Sequence, residues 1–236
     1  MNNKFCIVVQ GPSDYVKEIK EAWKGFDLIF STWEGEEEKY EPSDIVFFSK
    51  IPNKNCGAAH TLHLQRASTL NGLLYAKKMG YERVLKWRSD HIPNNPKKLV
   101  RIFKKNKLNI HSFHKHRKGY ITDFFMEGHI DDLIKLFTFA GTNYEYPEEA
   151  LTEQLFCNGL AKKVNFFVTE IDSENDILWL KRKTKWSDNL SEPLYMNRFP
   201  YKVYHSNRTG VSQLETFEFN VETPNGIEII YIKTLV

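Results

Sequence analysis

Cysteine, glycine and proline are scarce in this sequence of 236 residues. Its cysteines, Cys6, Cys56 and Cys157, are too few and too scattered for a disulfide framework or a metal-ligating cluster, which favours a reducing compartment. Twelve glycines and nine prolines argue against repeats and linkers. No apolar run approaches the roughly 18 residues of a membrane-spanning helix, and no cleavable leader precedes the first strand. These absences predict a soluble, cytoplasmic protein, with a peripheral membrane contact left open.

An excess of one charge sign is also missing, because 33 basic residues face 30 acidic ones for a net charge of +3. A dedicated nucleic-acid binder usually concentrates positive charge, so the composition argues against one. Basic clusters at Lys97–Lys98, Lys104–Lys107 and His114–Lys118 are typical of solvated faces. A hydrophobic fraction of 41% with 14% aromatic residues is too high for disorder. We expect one folded domain over residues 1–236.

Short apolar segments alternate with helical patterns in residues 1–92, which we interpret as a donor-binding half. The predicted strands are Phe5–Val9, Asp27–Ser31, Ile45–Phe48 and Arg83–Trp87, and the predicted helices are Tyr15–Trp23 and His63–Met79. This order is typical of a Rossmann-like α/β half. Ligands of such sheets bind beyond the carboxyl ends of the strands.

Residues 93–236 show a mixed pattern and are interpreted as an acceptor half with a C-terminal tail. Helices are predicted at Lys97–Lys105, His129–Phe139 and Pro147–Leu160, and strands at Leu108–His114, Tyr120–Phe124, Val164–Thr169 and Gly226–Leu235. The tail from Trp186 looks irregular apart from that last strand. The expected fold class is therefore α/β, with a mixed central sheet flanked by helices.

Asp90 follows directly after the apolar strand that ends in Trp87. A carboxylate at that point can be aimed into the cleft, and a hard divalent cation prefers oxygen ligands. Such an ion could bridge a diphosphate. Asp90 could equally be a turn or capping residue, because Asn94, Asn95 and Pro96 follow it closely.

Further polar residues suit a nucleotide and a sugar. Gly11 would let the backbone approach a nucleotide, and Arg66 could form a bidentate fork with a diphosphate, although a turn glycine and a surface arginine fit equally well. Asp123 stands beside aromatic residues, as carboxylates that bind sugar hydroxyls do. Asp123 or a glutamate of the Glu148–Glu153 segment could act as a general base. His205 could reach a metal or a diphosphate from the C-terminal side, but a surface histidine is as compatible with the sequence.

Several blocks in order resemble the WavE family of lipopolysaccharide-synthesis proteins, which are glycosyltransferase-like and have a GT-A-like fold. The blocks are Ile7–Pro12, Phe30–Gly35, Gln65–Thr69 with Gly72-Leu73, Val84–Asp90, Ile121–Phe125 with Gly128, and Pro147–Glu149. The resemblance covers roughly the first two-thirds of the chain. It implies a nucleotide-sugar-dependent glycosyltransferase (EC 2.4 type) of polysaccharide or glycoconjugate synthesis. The cell context stays open, because the cytoplasm of a bacterium or of a virus-infected host would both fit.

The implied donor is a nucleotide-diphosphate sugar and the implied acceptor a glycan or glycolipid hydroxyl. Candidate donor-site residues are Gln10, Gly11, Pro12, Ser31, Thr32, Trp33, Arg66, Lys86 and Arg88. Asp90 takes the place of the last aspartate in the Asp-x-Asp metal motif of this fold, whereas Arg88 stands where the first aspartate would be. The resemblance thus implies a Mn²⁺ or Mg²⁺ ion at Asp90, helped by His205 or His91.

The departure at Arg88 also permits a metal-independent enzyme in which Arg88 and Lys86 neutralise the leaving group. For the acceptor, we expect Asp123 or Glu149 to orient or deprotonate the hydroxyl. Two other classes stay open on the sequence. A nucleotidyltransferase would normally need a Gly-rich basic loop after the first strand, and a non-catalytic carbohydrate-binding protein would explain the missing first aspartate.

Overall fold

The computed structural model describes residues 4–52, 60–93, 95–114, 120–121, 123, 125–138, 147–169, 201–205, 216–223 and 226–234. The first half contains β1 (Phe5–Gln10), α1 (Val16–Ala22), β2 (Leu28–Trp33), β3 (Val46–Ser49), α2 (His60–Lys78) and β4 (Arg83–Arg88). The second half contains β5 (His91–Pro93), α3 (Pro96–Arg101), β6 (Leu108–His114), β7 (Tyr120–Ile121), β8 (Phe125–His129), α4 (Ile130–Phe137), α5 (Pro147–Cys157), β9 (Val164–Thr169), β10 (Tyr201–His205), β11 (Thr216–Thr223) and β12 (Gly226–Thr234).

The central sheet has the strand order β3-β2-β1-β4-β8-β6-β7, and β9 pairs with β6. Strands β1 to β4 are parallel to one another in this sheet. Strand β8 lies antiparallel between β4 and β6, and makes the sheet mixed. The predicted α/β fold, with a Rossmann-like half and a mixed central sheet flanked by helices, is confirmed by this topology.

The two faces of β1 belong to two separate hydrophobic clusters. Cys6 and Val8 pack in the cluster that includes Leu73 of α2. Ile7 and Val9 pack in the other cluster, which includes Trp23 at the end of α1. Because side chains alternate across a strand, the continuous apolar run of β1 covers both faces and is buried on both.

The structure departs from the predicted elements after residue 120. The strand predicted at Tyr120–Phe124 is β7 only over Tyr120–Ile121, and the next strand, β8 (Phe125–His129), was not predicted. The helix predicted to begin at His129 begins one residue later, at Ile130. Strand β8 is buried and pairs with β4 on one side and β6 on the other. It was not recognised in the sequence because Glu127 and Gly128 interrupt the apolar run that is typical of a buried strand.

The tail was predicted to be irregular apart from its last strand, and this was wrong for β10 and β11. They join the predicted β12 and the unpredicted β5 in a second sheet of order β10-β11-β12-β5. No helix within the described ranges has both the length and the apolar character to cross a membrane.

Candidate active site

The turn after β1 touches the turn after β4. The backbone N–H of Ser89 donates to the carbonyl of Gln10 at 3.0 Å, and that of Gly11 donates to the carbonyl of Ser31 at 3.3 Å. Gly11 has φ +123°, and a Cβ built there would lie 2.6 Å from Ser89 Oγ. The position therefore needs glycine for both its conformation and its space. Pro12, which follows, is exposed.

Helix α2 packs closely over β1 and β2. A Cβ on Gly72 would come within 2.6 Å of Val8 Cγ1 and 2.8 Å of Ser31 Cβ. Ser31 Oγ donates to the carbonyl of Ser68 at 2.6 Å, and Ser68 Oγ donates to Gln10 Oε1 at 2.9 Å. The predicted donor-site residues Gln10 and Ser31 are thus buried under α2 and hold it to the sheet.

A second polar group lies past the end of β2. Ser13 Oγ is 3.0 Å from Thr32 Oγ1 and 2.6 Å from the Tyr40 hydroxyl, and it donates to Glu36 Oε2 at 2.8 Å. Thr32 Oγ1 donates to the same carboxylate. Burial would raise the pKa of Glu36, but the hydrogen bonds from Thr32 and Ser13 lower it below its ordinary value. Trp33, the next residue after Thr32, is also buried. Sequence reasoning missed Glu36 because its acidic surroundings resemble a solvated loop.

The charged centre of the site lies at the end of β4. Arg88 Nε and Nη2 donate to Asp90 Oδ1 and Oδ2 at 2.9 and 2.6 Å, and His91 Nδ1 lies 2.7 Å from Oδ1. Burial opposes the charge of Asp90, yet the bonds from His91 and Arg88 hold its pKa below its ordinary value. The same burial would lower the pKa of Arg88, but Asp123 and Asp90 raise it. The pair is therefore fully charged at neutral pH.

Asp123 is the second carboxylate of this centre and is 6% exposed. Its Oδ2 accepts a hydrogen bond from Gln65 Nε2 and lies 3.6 Å from Arg88 Nη1. Its carbonyl oxygen accepts from Lys86 Nζ. The structure thus brings three predicted residues together, Asp123, Arg88 and Lys86, and adds Gln65, to which the sequence analysis assigned no function.

Lys86 is fully buried within β4. Burial lowers the pKa of its ammonium to about 8, although the charge of Asp123 opposes that shift. Its ammonium donates to the carbonyl of Asp123 and so anchors the backbone there. It also adds a second positive charge close to Arg88.

Three predicted site residues are not part of this centre. Arg66 bonds elsewhere, and the side chains of Glu149 and His205 are not described. Arg66 Nε donates to the carbonyl of Phe137, at the end of α4, over 3.4 Å. Glu149 lies in the first turn of α5, and its side chain is outside the described part. Its neighbour Glu148 is buried and its charge acts on Lys86 and Arg88, so this end of α5 faces the centre.

His205 is the last residue of β10, and its side chain is not among those described. Its backbone aligns with Phe217 of β11, then with Ile232 of β12 and Pro93 of β5. Three interstrand spacings amount to about 14 Å across the sheet. The register therefore does not bring the backbone of His205 next to Asp90.

The described side chains do not form a divalent-metal site by themselves. Three hydrogen bonds already occupy the oxygens of Asp90, and a carboxylate offers about four lone-pair sites. The guanidinium of Arg88 would also repel a cation. In the part of the chain that the structure describes, no group of three or more His, Cys, Asp or Glu residues is placed to hold an ion. The Mn²⁺ or Mg²⁺ ion at Asp90 stays a prediction.

No protein-family model matches the chain, and no curated protein matches it. Among solved structures, one similar chain is a protein from Desulfovibrio desulfuricans G20 described as a "putative nucleotide-diphospho-sugar transferase". The two share 16% sequence identity, the match covers 82% of this chain and 94% of that one, and the TM-score is 0.43. At this level of similarity nothing about the function of the present chain follows. The resemblance to the WavE family stays a prediction.

Proposed function

We propose that this chain is a glycosyltransferase that moves a sugar from a nucleotide-diphosphate donor to a hydroxyl of a glycan or glycolipid acceptor. One arrangement carries the proposal: Arg88 stands between the carboxylates Asp90 and Asp123 at the carboxyl end of β4. Arg88 pairs in register with Gln10, so this cation lies beside the Gly11 turn. That edge of an open α/β sheet is where ligands bind.

The donor diphosphate would lie over Gly11 and meet the guanidinium of Arg88. A rigid fork of N–H donors matches phosphate oxygens and stabilises the charge that develops on the leaving group. Lys86 contributes a second positive charge from beneath. Asp90 orients the fork through its two hydrogen bonds. No step requires a metal ion.

Asp123 is the better placed of the two proposed bases, because its carboxylate lies at the charged centre. It would accept the proton of the acceptor hydroxyl as that oxygen attacks the sugar. Comparing Asp123→Asn with Glu149→Gln tests both assignments. Turnover that falls by less than about a hundredfold in both variants would reject both.

Thermal unfolding against a panel of nucleoside diphosphates and nucleotide sugars, with and without Mn²⁺, tests the donor site. A nucleotide at about a hundredfold over its Kd adds roughly 2.7 kcal/mol. Stabilisation without metal supports the Arg88 assignment, and stabilisation only with Mn²⁺ supports the predicted ion at Asp90. If no nucleotide raises Tm, the donor-site proposal fails.

A non-catalytic carbohydrate-binding protein is the second candidate. It is favoured by one observation, that Arg88 is already held by two hydrogen bonds to Asp90. Donor hydrolysis without acceptor separates the two candidates, because a transferase releases some sugar to water whereas a binding protein does not. If sugar is released and the release is lost in Arg88→Ala, the protein is a transferase and the binding-protein hypothesis is rejected.

A further inference from the structure

The carboxylate of Glu36 is the common acceptor of the polar group past the end of β2. Its Oε1 accepts from the backbone N–H of Ser13 at 3.3 Å and from Lys39 Nζ at 3.2 Å. Its Oε2 accepts from Ser13 Oγ at 2.8 Å and from Thr32 Oγ1. A carboxylate offers about four lone-pair sites. These four hydrogen bonds therefore fill the acceptor capacity of Glu36.

The direction of the hydroxyl protons in this group follows from the charge of Glu36. Its pKa is lowered, so it has no proton to give, and Ser13 and Thr32 both donate to it. The Tyr40 hydroxyl, 2.6 Å from Ser13 Oγ, then donates to that oxygen. Burial raises the pKa of Tyr40 to about 12, so this proton stays in place. The predicted donor-site residue Thr32 thus has its hydroxyl proton on Glu36 and acts through that carboxylate.

The turn after β1, residues 11–13, is fixed at both of its ends. At the first end, the backbone N–H of Gly11 donates to the carbonyl of Ser31 at 3.3 Å. At the other end, Glu36 accepts from both the N–H and the hydroxyl of Ser13, which lies 23 positions away in the chain. Between these ends the ring of Pro12 fixes its own φ. The shape of the turn therefore depends on a carboxylate from a different loop.

We propose that Glu36 is a positioning residue that acts through Ser13 and holds the turn after β1 in the shape over which the donor diphosphate lies. It does so without touching the ligand, because its lone-pair sites are filled by the protein. The inference rests on the proposed function for its effect on nucleotide binding, whereas its geometric part concerns the protein alone.

Amide hydrogen exchange measured by NMR tests the geometric part without any ligand. In Glu36→Ala the amide of Ser13 loses its own acceptor, so the informative amide is that of Gly11, whose acceptor Ser31 is unchanged. We expect both amides to exchange about 10-fold faster or more, the size of effect of losing a hydrogen bond to a charged group. Glu38→Ala is the matched control, because it removes the same charge from an exposed position of the same loop. Unchanged exchange at Gly11 in Glu36→Ala, or equal acceleration in Glu38→Ala, overturns the inference.

A double-mutant cycle with Ser13→Ala tests whether Glu36 acts through Ser13. The measured quantity is the Kd of UDP and of GDP at a temperature where every variant is folded. Glu36→Ala should raise Kd by about 10-fold, and the double variant should lose less than the product of the two single losses, because the two residues act as one unit. Losses that multiply would show that Glu36 acts independently of Ser13. A lower Tm with an unchanged Kd would show a role in stability only, and either result overturns the inference.

The two proposals fail in distinguishable ways. If no nucleotide of the panel binds the wild type, the proposed glycosyltransferase function fails, and the exchange of the Gly11 amide in Glu36→Ala still decides the geometric part. If UDP or GDP binds the wild type and Glu36→Ala with the same Kd, the function stands and the assignment of Glu36 is wrong. Should Glu36→Ala not fold, Glu36→Gln serves both measurements, because it keeps the shape of the side chain and removes its charge.

Discussion

Arg88 Nε and Nη2 donate to the two carboxylate oxygens of Asp90 over 2.9 and 2.6 Å. The resemblance to the WavE family predicts an Asp-x-Asp metal motif at these two positions, but the first of them is Arg88. An arginine that is hydrogen-bonded to this aspartate favours a site that binds an anionic ligand through Arg88 over a site with two carboxylates for a metal ion. The same geometry leads to the following predictions.

Arg88→Ala should weaken nucleoside-diphosphate binding by about 10- to 100-fold, because hydrogen bonds to charged groups contribute about 1.5–3 kcal/mol. Arg88→Lys should restore only part of the affinity, since an ammonium cannot form the two-pronged contact. The ligand-induced rise in Tm measures both, and Arg101→Ala is the control on the exposed surface of α3. An unchanged rise in Arg88→Ala would contradict the assignment.

Asp90→Asn should make the fold less stable near neutral pH. Despite burial, hydrogen bonds from His91 and Arg88 hold the pKa of Asp90 below its ordinary value. The charge of Asp90 therefore stabilises the fold above about pH 4, and this stabilisation is lost as pH falls through the lowered pKa. The Tm difference between wild type and Asp90→Asn should therefore narrow in acid. A difference that stays constant with pH would argue against the ion pair with Arg88.

Glu127 should make the fold less stable as pH rises towards neutrality. It is buried on β8 between Arg83 and Asn109, and burial raises its pKa from 4.5 to about 7 against the opposing charge of Arg83. Its stabilising contribution is present below about pH 4.5 and is lost through pH 7, a change of about 3 kcal/mol. Glu127→Gln should flatten this part of the Tm–pH curve. A curve parallel to that of the wild type would be the contrary result.

Lys86 should have the opposite effect at higher pH. Its pKa is lowered from 10.5 to about 8, mainly by burial, so the folded chain loses this proton before the unfolded chain does. Stability should rise by about 3 kcal/mol between about pH 8 and pH 10.5 from this group. Urea unfolding of wild type and Lys86→Met across this range measures the difference. The gain should be absent in the variant.

Gly11→Ala should destabilise the chain more than Gly25→Ala. Both glycines have positive φ, +123° and +90°, but a Cβ on Gly11 would lie 2.6 Å from Ser89 Oγ, whereas nothing lies within 4 Å of one on Gly25. Gly25→Ala should therefore show only the conformational cost, about 1–2 kcal/mol. Gly11→Ala adds a displacement of Ser89 and should also weaken nucleotide binding. Equal Tm losses with equal nucleotide binding would show that the contact with Ser89 has no consequence.

The local pattern was enough to predict the Rossmann-like half. The apolar runs at Phe5–Val9 and Arg83–Trp87 lie within β1 and β4, and Gly80 follows the end of α2 with φ +83°. The helix predicted at Lys97–Lys105 corresponds to α3, which begins at Pro96, and Asn95 caps it by accepting from Lys98 N at 3.1 Å. Such signals depend on neighbours along the chain, so they can be interpreted without the fold.

Long-range partners decided the rest of the site. Gln65 and Asp123 are 58 residues apart, and Lys86 is charged, fully buried and bonded to a carbonyl 37 residues away. A lysine or a glutamine in the sequence carries no mark of such a partner, because its usual place is the solvated surface.

The sequence by itself determined which segments form the parallel strands and that Gly11, Arg88 and Asp90 follow them at one edge of the sheet. Apolar runs and turn residues can be identified over a few positions, and the carboxyl ends of parallel strands meet at one edge of the sheet. Only the tertiary structure decided that Arg88 lies between two carboxylates and that Lys86 and Gln65 hold Asp123. Those contacts depend on the antiparallel insertion of β8 and the close packing of α2, which bring distant residues within a few ångströms in a site where charges interact strongly.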